Sequence, residues 1–479
     1  MTTQFSPQLP HLQILSQTDK EQIYAAALQI LDDIGMRVLR PDVLALLQRA
    51  GCRVTGDIVM IAADRVEAAL KSAPNNITIY NREDAPVMEL GGDRSYFGTG
   101  SDLMYNHAPG DASIREFCSL NHVKQAARVA DALPNLDFIM SFAHPSEITP
   151  YRAYLASFAA MVENSVKPIV CTAAERGDLA AMWEIAKTVR GGAEALAGHP
   201  YFVYYGEPIS PLKHPSESLD KLLFCAEKRI PVIYSPAPLS GSNAPITIAG
   251  HVAQGLAECF CGLVIHQLKN EGAPFLMGMG PAVLDMATSQ SSYNAPEYYM
   301  AYMAIIDMAH YFNLPSWGYA GTSDSQIPDE QASLESTLSS FIATMSGANL
   351  NHDVGYLNFG LTGSLEMMVI GDEIISMIRR MKQGIVVNEE TLALDVIREV
   401  GHDGHHLVHP HTLKHLRSTQ WRPKLISRKG YEQWEQDGSL SLLERARKKL
   451  QHILETYQSP ALAEEKQHTI QNIVERFTV

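Results

Sequence analysis

Short apolar runs alternate with long amphipathic stretches through the middle of this 479-residue chain. The runs hold five or six residues, are rich in β-branched and aromatic residues, and are for the most part nearly continuously apolar, which is typical of strands buried on both faces of a sheet. A polar or Gly/Pro break and then a helical pattern follow each run. The pattern predicts strands at residues 94–98, 137–141, 168–172, 201–206, 231–235, 274–278, 315–320 and 348–352.

Eight strand–helix units in about 260 residues predict an α/β fold, a (β/α)8 barrel. The clearest intervening helices are 246–268 and 297–312, with apolar residues at helical spacing. A doubly wound open sheet is the main alternative. It is disfavoured because no Gly-x-Gly-x-x-Gly follows the first strand and no Walker loop is present.

The flanking regions have a different organisation. Residues 1–90 predict an N-terminal α+β cap, residues 91–385 the catalytic barrel, and residues 386–479 a helical C-terminal extension. The two last helices, 441–457 and 461–477, are heavily charged. Such terminal helices and the acidic surface suggest a homo-oligomer.

Charge and cysteine usage narrow the function. The net charge of −15 argues against a nucleic-acid partner, which needs a positive face. The six cysteines are scattered and mostly in apolar contexts, as expected for reduced thiols in the cytoplasm. The N-terminal stretch lacks the pattern of a signal peptide. No apolar run in the sequence reaches the roughly 18 residues of a membrane helix. We therefore expect a cytoplasmic protein without a membrane partner.

In a barrel of this kind the loops after the strands carry the chemistry. The loop within 315–329 contributes Asp324, and the following unit delivers His352. Glu207 follows the fourth predicted strand and is the other carboxylate that stands out at these positions. Each has a structural alternative: His352 as a core histidine, Asp324 as a turn cap, and Glu207 as a loop anchor.

Aromatic residues are frequent near the same strand ends. Aromatic faces with one or two carboxylates are what a quaternary ammonium group requires, because this cation donates no hydrogen bonds. The alternative is that most of these rings belong to the barrel core. The candidates for an aromatic cage are Tyr96, Phe97, Tyr205 and Trp317, with Tyr356 on the same rim.

Other chemistries lack their usual residues. No Gly-x-Ser-x-Gly and no lysine at a strand end is present, which disfavours a serine hydrolase and a Schiff-base enzyme. Six histidines lie between His402 and His415, but no His-Glu-x-x-His, cysteine or carboxylate cluster accompanies them. We therefore expect no metal site.

A series of motifs resembles one known family. In chain order they are EPISPL (207–212), APITIAG (244–250), GAP (272–274), DMAT (285–288), TSDSQIPDEQA (322–332), GANL (347–350), SLEMMVIGDE (364–373) and HTLKHLRSTQW (411–421). Together with a Pro-Glu helix start at 296–297, they resemble the trimethylamine methyltransferase family of corrinoid-dependent methyltransferases, over roughly residues 20–460.

The resemblance implies a TIM barrel that moves a methyl group from a methylated amine to the Co(I) corrinoid (cobalamin) of a separate small protein. The family archetype carries pyrrolysine in the loop after the seventh strand, where this chain has Ser325, Gln326 and Ile327. This departure points to the non-pyrrolysine branch, whose substrates are quaternary amines such as glycine betaine. We expect no cofactor to be tightly bound.

The resemblance and the pocket together give each candidate a role. His352 and Asn351 are expected to hold a substrate carboxylate or to contact the corrinoid. Asp324 and Glu207 are expected to contribute negative charge to the pocket. Gln326 is expected to occupy the space that pyrrolysine fills in the family archetype. The predicted contacts to the corrinoid are Gly100, Ser235, Gly278, Thr322 and Ser323. Two other functions remain open: a non-catalytic binder of quaternary ammonium compounds, and a metal-dependent barrel hydrolase or lyase.

Overall fold

Eight parallel strands form the centre of the computed structural model, which describes residues 9–477 apart from the side chain of Tyr151. Seven are extended strands; the second consists of bridges at Phe138 and Ile139. All eight lie within the runs predicted from the sequence. The seven are Tyr96–Phe97, Ile169–Cys171, Phe202–Gly206, Val232–Tyr234, Phe275–Met277, Trp317–Tyr319 and Leu350–His352.

The strands close into a ring. The third to the sixth pair in sequence order, all parallel. Parallel bridges join the first strand to the second, the second to the third, and the sixth to the seventh. The seventh pairs with the eighth, and the eighth pairs with the first through Leu350 and Tyr96. A ring of parallel strands is a barrel, so the (β/α)8 prediction is confirmed and the open sheet is excluded.

Helices surround the ring. The segment after the fifth strand forms Ile248–Lys269, whose apolar 18-residue window has a mean hydropathy of 1.5, enough for a membrane span by composition. The protein itself buries 83% of that window, so this is a core helix. The other helices of the barrel are Leu120–Ala132, Pro150–Asn164, Arg176–Arg190, Ala193–Gly198, Ser216–Lys228, Pro296–Tyr311, Glu330–Ser346 and Leu365–Lys382.

A β-hairpin closes the incoming end of the barrel, where the strands begin. Its strands, Ile77–Tyr80 and Pro86–Leu90, pair antiparallel. Their buried residues pack directly against the apolar residues that line the barrel interior: Phe138, Met140, Val170, Val203, Ile233, Leu276, Trp317 and Leu350. The hairpin therefore forms an apolar floor, and the opposite, outgoing end is left as the mouth.

The rest of the N-terminal region packs on the long core helix. The helices are Gln17–Gln29, which continues as a π-helix over Ile30–Ile34, Pro41–Arg49 and Ala63–Ser72. Three short strands, Met36–Val38, Arg53–Thr55 and Ile58–Met60, form a sheet that Lys213–His214 extends from the barrel. Residues 1–8, part of the stretch that lacks a signal-peptide pattern, lie outside the described residues.

Two small sheets lie around the mouth. Tyr105–Ala108 and Asp111–Phe117 form a hairpin that pairs with Thr362–Gly363 and, beyond it, Tyr356–Leu357. A second hairpin, Val283–Leu284 with Ser291–Ser292, follows the sixth strand. These elements raise the wall around the opening.

The C-terminal region is helical, as predicted. Its helices are Glu389–Leu392, Leu394–Val400, Pro410–Thr419, Tyr431–Gln436, Leu442–Thr456 and Glu464–Phe477. A buried carboxylate anchors the chain as it returns to the barrel: Oε1 of Glu373 accepts backbone N–H bonds from Lys424, Leu425 and Ile426 at 2.8, 2.8 and 3.1 Å.

Candidate active site at the barrel mouth

Three aromatic rings meet in the barrel interior. Trp317 and His352 come from neighbouring strands and stack, with centroids 4.3 Å apart and planes at 10°. Tyr205 reaches them from the fourth strand, across the barrel, at 5.3 Å from Trp317 and 6.1 Å from His352. Trp317 is only 2% exposed, whereas Tyr205 and His352 are half-buried and keep an open surface. This ring cluster brings together two of the four predicted cage residues with the predicted histidine.

The carboxyl group of Glu207 lies beside the ring cluster. The hydroxyl of Tyr205 donates a hydrogen bond to Oε1 of Glu207. Burial raises the pKa of Glu207, while the bond from Tyr205 and the nearby His352 favour the carboxylate form. Among the described residues no lysine or arginine forms an ion pair with Glu207. Its charge is therefore available to a cationic ligand.

A second carboxylate holds the histidine. Oδ1 of Asp353 lies 2.5 Å from Nδ1 of His352, and neither atom has another hydrogen-bond partner within the described residues. Asp353 has a positive φ of 81°, which turns its side chain back toward the ring. A Cβ on Gly100 would collide with Oδ1 of Asp353 and the phenol of Tyr356. The glycine thus makes room for the pair, and no residue among 9–477 forms a hydrogen bond with Nε2 of His352.

A polar cluster after the first three strands borders the same site. Oδ2 of Asp102 accepts hydrogen bonds from Ser101 at 2.9 Å and Thr172 at 3.2 Å. Nδ1 of His144 lies 3.7 Å from Oδ1 of Asp102, and this contact raises the pKa of His144. The charge of Asp102 also contributes to the raised pKa of Glu207. Asp102 therefore adds a further carboxylate to this side of the site.

Sequence reasoning missed three residues of this site. Asp353 directly follows His352 at the predicted end of the eighth strand, and Asp102 lies two residues after Gly100 in the loop that follows the first strand, so a signal was present in their position. Tyr293 comes from the hairpin after the sixth strand and carried no such signal. Burial, followed by the charges of Asp353, Glu207 and Asp324, raises the pKa of Tyr293 to about 12.

The loop after the seventh strand is braced rather than open. The carboxylate of Asp324 accepts hydrogen bonds from Ser292, the backbone of Tyr293, and Asn294 at 2.5–3.3 Å, so it ties the neighbouring hairpin to this loop. Gln326 is exposed, and its Nε2 donates to the backbone oxygen of Asp324 at 3.1 Å. The structure does not bring either side chain into the ring cluster.

Four further predicted substrate contacts lie in the barrel wall or floor. Phe97 is fully buried, with the guanidinium of Arg379 over its ring at 5.5 Å. The hydroxyl of Tyr96 accepts a bond from the backbone of Glu89 in the floor hairpin. Asn351 uses its side chain to bond Tyr302 and two backbone oxygens, and Tyr356 donates to the backbone oxygen of Ser101. All four serve packing at these positions.

The residues predicted to contact the corrinoid are all buried: Gly100, Ser235, Gly278, Thr322 and Ser323. Gly278 is packed against Ser235 and the Cβ of Trp317, where an added Cβ would lie 2.9–3.0 Å from both. Ser323 donates to Glu335 at 2.6 Å, whereas the hydroxyls of Ser235 and Thr322 have no hydrogen-bond partner in the part of the chain that the structure describes. This group therefore lies beneath the surface of the mouth.

The histidine-rich segment lies away from the mouth. His411 and His415 both contact Glu390, with ring centroids 4.4 Å apart. Within residues 9–477 no group of three or more His, Cys, Asp or Glu is placed to hold a metal ion.

The rim of the mouth is apolar. Loops after six of the eight strands expose a large apolar side chain to solvent, and together they form what we call the apolar rim. Its members are Met104, Phe117, Ile209, Ile246, Met286, Ile327 and Leu361. Isolated exposed apolar residues need no explanation, but a ring of them around a cleft marks an interaction surface.

Fold and site together define a (β/α)8 barrel with an aromatic, acidic pocket at its open end. The sequence model of the trimethylamine methyltransferase (MTTB) family matches residues 2–478. The chain therefore belongs to the trimethylamine methyltransferase family, as its motifs indicated.

Similar proteins agree with this assignment. Trimethylamine methyltransferase MttB of Desulfitobacterium hafniense is 31% identical, with 95% of this chain and 92% of that protein covered. Glycine betaine methyltransferase of the same species is 30% identical, with 95% of each covered. The crystal structure of the Methanosarcina barkeri monomethylamine methyltransferase shares the fold, with a TM-score of 0.51 at 13% identity over 92% of this chain and 89% of that one.

Proposed function

We propose that this protein transfers a methyl group from a small quaternary amine, with glycine betaine as the first candidate, to a Co(I) corrinoid carried by a partner protein. Family membership supports methyl transfer, and the relative named glycine betaine methyltransferase supports this substrate class. The observation that carries the proposal is the ring cluster with the carboxyl group of Glu207 beside it, which has no lysine or arginine partner among the described residues.

A quaternary ammonium ion fits this pocket because it is bound without hydrogen bonds. Ring quadrupoles and a nearby negative charge attract it, and cation–π contacts contribute about 0.5–2 kcal/mol each. Tyr205 and His352 offer the half-exposed rings, while Trp317 supports His352 from behind. Glu207 supplies negative charge, and no lysine or arginine among the described residues forms an ion pair with it.

Methyl transfer from a quaternary amine requires little from the protein besides the positioning of the substrate. When the N–CH3 bond breaks, the electron pair stays on nitrogen, so the product is a neutral tertiary amine and no proton is required. A reduced corrinoid supplies the nucleophile that accepts the methyl group. The protein holds the ammonium in line and excludes water, and such positioning supplies a large part of the rate acceleration.

The loop after the seventh strand favours a quaternary over a tertiary amine. It carries Ser325, Gln326 and Ile327 at the place where the family archetype has pyrrolysine. A glutamine amide forms no covalent adduct with an amine, and the side chain of Gln326 is folded back on its own loop. A substrate that already carries its positive charge needs no such adduct.

The corrinoid is assigned to a partner because the family relation implies a separate corrinoid protein and the rim of the mouth is apolar. An apolar rim around a cleft suits docking of another protein. Cobalt is therefore delivered with the partner, and this chain holds no corrinoid of its own. The six buried free cysteines fit a reducing cytoplasm.

The test is methyl transfer to free Co(I) cobalamin, followed by the visible spectrum, with glycine betaine, other betaines, carnitine, choline and trimethylamine. We expect turnover with one quaternary amine and none with trimethylamine. Turnover with trimethylamine alone would contradict the substrate class. Ammonium binding by calorimetry without any methyl transfer would instead indicate a binding protein.

A further inference from the structure

The region between the last barrel helix and the returning C-terminal chain has no core of its own. Within residues 385–420, every residue is exposed or half-buried, and the three helices in this stretch contribute no buried side chain. Ordering 36 residues costs conformational entropy, which a single chain normally offsets by burying apolar side chains. Residues 385–420 instead expose their apolar side chains to solvent.

Nine large aliphatic side chains point to solvent here, and we call them the C-terminal apolar patch. They make up nine of the 27 large apolar residues that are exposed in the described part of the chain. Ile385 is 80% exposed and Leu407 is 76% exposed. The other members are Val386, Val387, Leu392, Leu394, Ile397, Val408 and Leu413. Patches of this size on soluble proteins mark an interface.

The patch lies at the closed end of the barrel, opposite the mouth. The preceding helix, Leu365–Lys382, ends there: Arg379 pairs with Asp137, just before the second strand, and Lys382 with Asp93, just before the first. The stretch also returns to this end, because Arg380 donates to the backbone oxygen of Thr419 at 2.9 Å. A protein that delivers a group to the mouth therefore has no access to this patch.

We propose that the C-terminal apolar patch is the interface with a second copy of this chain. Its composition favours a permanent partner, since obligate homodimer interfaces are more apolar than transient ones. Nine aliphatic side chains offer apolar area of the order of the roughly 800 Å2 that a stable interface buries on each partner. The stretch also carries only five acidic and three basic residues in a chain with a net charge of −15, so two copies approach here with little repulsion.

The test compares two single charge substitutions of equal exposure. Leu394, 64% exposed, belongs to the patch, and Leu334, 66% exposed, lies on a barrel helix outside it. Light scattering on a size-exclusion column gives the oligomeric state of wild type, Leu394→Glu and Leu334→Glu, and far-UV circular dichroism confirms folding. We expect an oligomeric wild type, at least a tenfold weaker association for Leu394→Glu, and no change for Leu334→Glu.

Three results would overturn the proposal: a monomeric wild type, an unchanged Leu394→Glu oligomer, or equal dissociation by both variants. A labelling experiment gives an independent measure. All six native cysteines are buried, so Leu394→Cys introduces an accessible thiol. We expect this thiol to react with a maleimide several-fold more slowly than the thiol of Leu334→Cys, although the two side chains are almost equally exposed in the single chain. Equal rates for the two variants would also overturn the proposal. Neither readout depends on methyl transfer.

Discussion

The hydroxyl of Tyr205 controls the charge of its neighbour Glu207. Burial raises the pKa of Glu207, and the hydrogen bond from Tyr205 opposes that rise because it stabilises the carboxylate. As pH falls through this pKa, Glu207 becomes neutral and the pocket loses attraction for a cation. A quaternary ammonium ion does not titrate. The acid limb of the pH profile of kcat/KM therefore reports the titration of a group on the protein.

Tyr205→Phe should therefore shift the acid limb of kcat/KM to higher pH while leaving the value above that limb nearly unchanged. The ring remains, but the carboxylate loses its donor and the pKa of Glu207 rises further. Steady-state kinetics from pH 5 to 9 measures this shift. Asp102 and His352 act on Glu207 in both proteins, so the difference between wild type and Tyr205→Phe isolates the hydrogen bond. An unmoved limb would show that Glu207 is not the group that titrates.

Glu207→Gln tests the charge itself. We expect kcat/KM at neutral pH to fall about tenfold or more, equivalent to about 1.4 kcal/mol, because the pocket keeps its shape but loses its carboxylate. Asp329→Asn is a control, since Asp329 caps the helix Glu330–Ser346 outside the ring cluster. Equal kcat/KM for Glu207→Gln and wild type would remove Glu207 from the site.

Gly100 is required by packing rather than by a backbone turn. Its Cβ position is occupied by Asp353 and Tyr356, so Gly100→Ala should displace Asp353 from His352 and strongly reduce methyl transfer. Gly198→Ala is the matched control: no atom lies within 4 Å of its added Cβ. Alanine at 198 should leave activity unchanged and stability equal or higher by up to about 1 kcal/mol. Full activity in Gly100→Ala would contradict the proposed role of the Asp353–His352 pair.

The sequence predicted single residues of the site correctly only where the face of the strand on which a side chain lies did not decide its position. Glu207 and His352 lie at outgoing strand ends, so the fold alone places them at the mouth. Phe97 and Tyr96 were predicted on the same rule, but their strand has only two residues and its apolar pattern is the same on both faces. The sequence therefore does not distinguish pocket from wall, and the structure puts one in the wall and the other against the floor.

At the scale of elements, buried strands were easier to predict than exposed ones. All eight barrel strands follow from apolar runs, several of them with proline at the incoming end. The hairpin Tyr105–Ala108 with Asp111–Phe117 was missed because its second strand is largely exposed and polar. Pro109 and Gly110, with φ of 88° at the glycine, mark its turn, and this was the available signal.

The strand that joins the N-terminal sheet to the barrel makes the fold acid-sensitive. His214 is fully buried, stacks on Tyr234 and is hydrogen-bonded to its hydroxyl at 2.8 Å. Burial lowers the pKa of His214 to about 3. In the unfolded chain a histidine binds its proton near pH 6.5, so the unfolded state gains protons first and stability is lost as pH falls below that value.

His214→Gln should reduce this loss. The free energy of unfolding should fall by about 2 kcal/mol less between pH 7 and 5 than in wild type, although the variant is less stable at pH 7. Urea denaturation at both pH values measures the difference. Burial also lowers the pKa of His266 to about 3. We therefore expect His266→Gln to reduce the acid-induced loss of stability as well, and the effects of the two substitutions to add. Parallel pH profiles for wild type and His214→Gln would contradict the argument.

At the scale of the whole molecule, the two ends of the barrel have different tasks. The apolar rim surrounds the mouth, whereas the floor hairpin closes the other end. Met286→Glu, at a rim side chain that is 59% exposed, should raise KM for a partner-borne corrinoid several-fold and leave the rate with free cobalamin unchanged. Val87→Glu, on the floor hairpin, should change neither. Equal kinetics for Met286→Glu and wild type with the corrinoid protein would remove the rim from docking.

The floor hairpin also fixes the order of events. Since Ile77, Ile79, Met88 and Leu90 seal the incoming end, the amine and the corrinoid partner share a single opening. The amine must enter before the partner covers the mouth, and the demethylated amine leaves only after the partner departs. Kinetically, this is a compulsory-order sequence with the amine leading. An excess of the partner therefore slows turnover by covering empty pockets, and the inhibition is relieved by more amine.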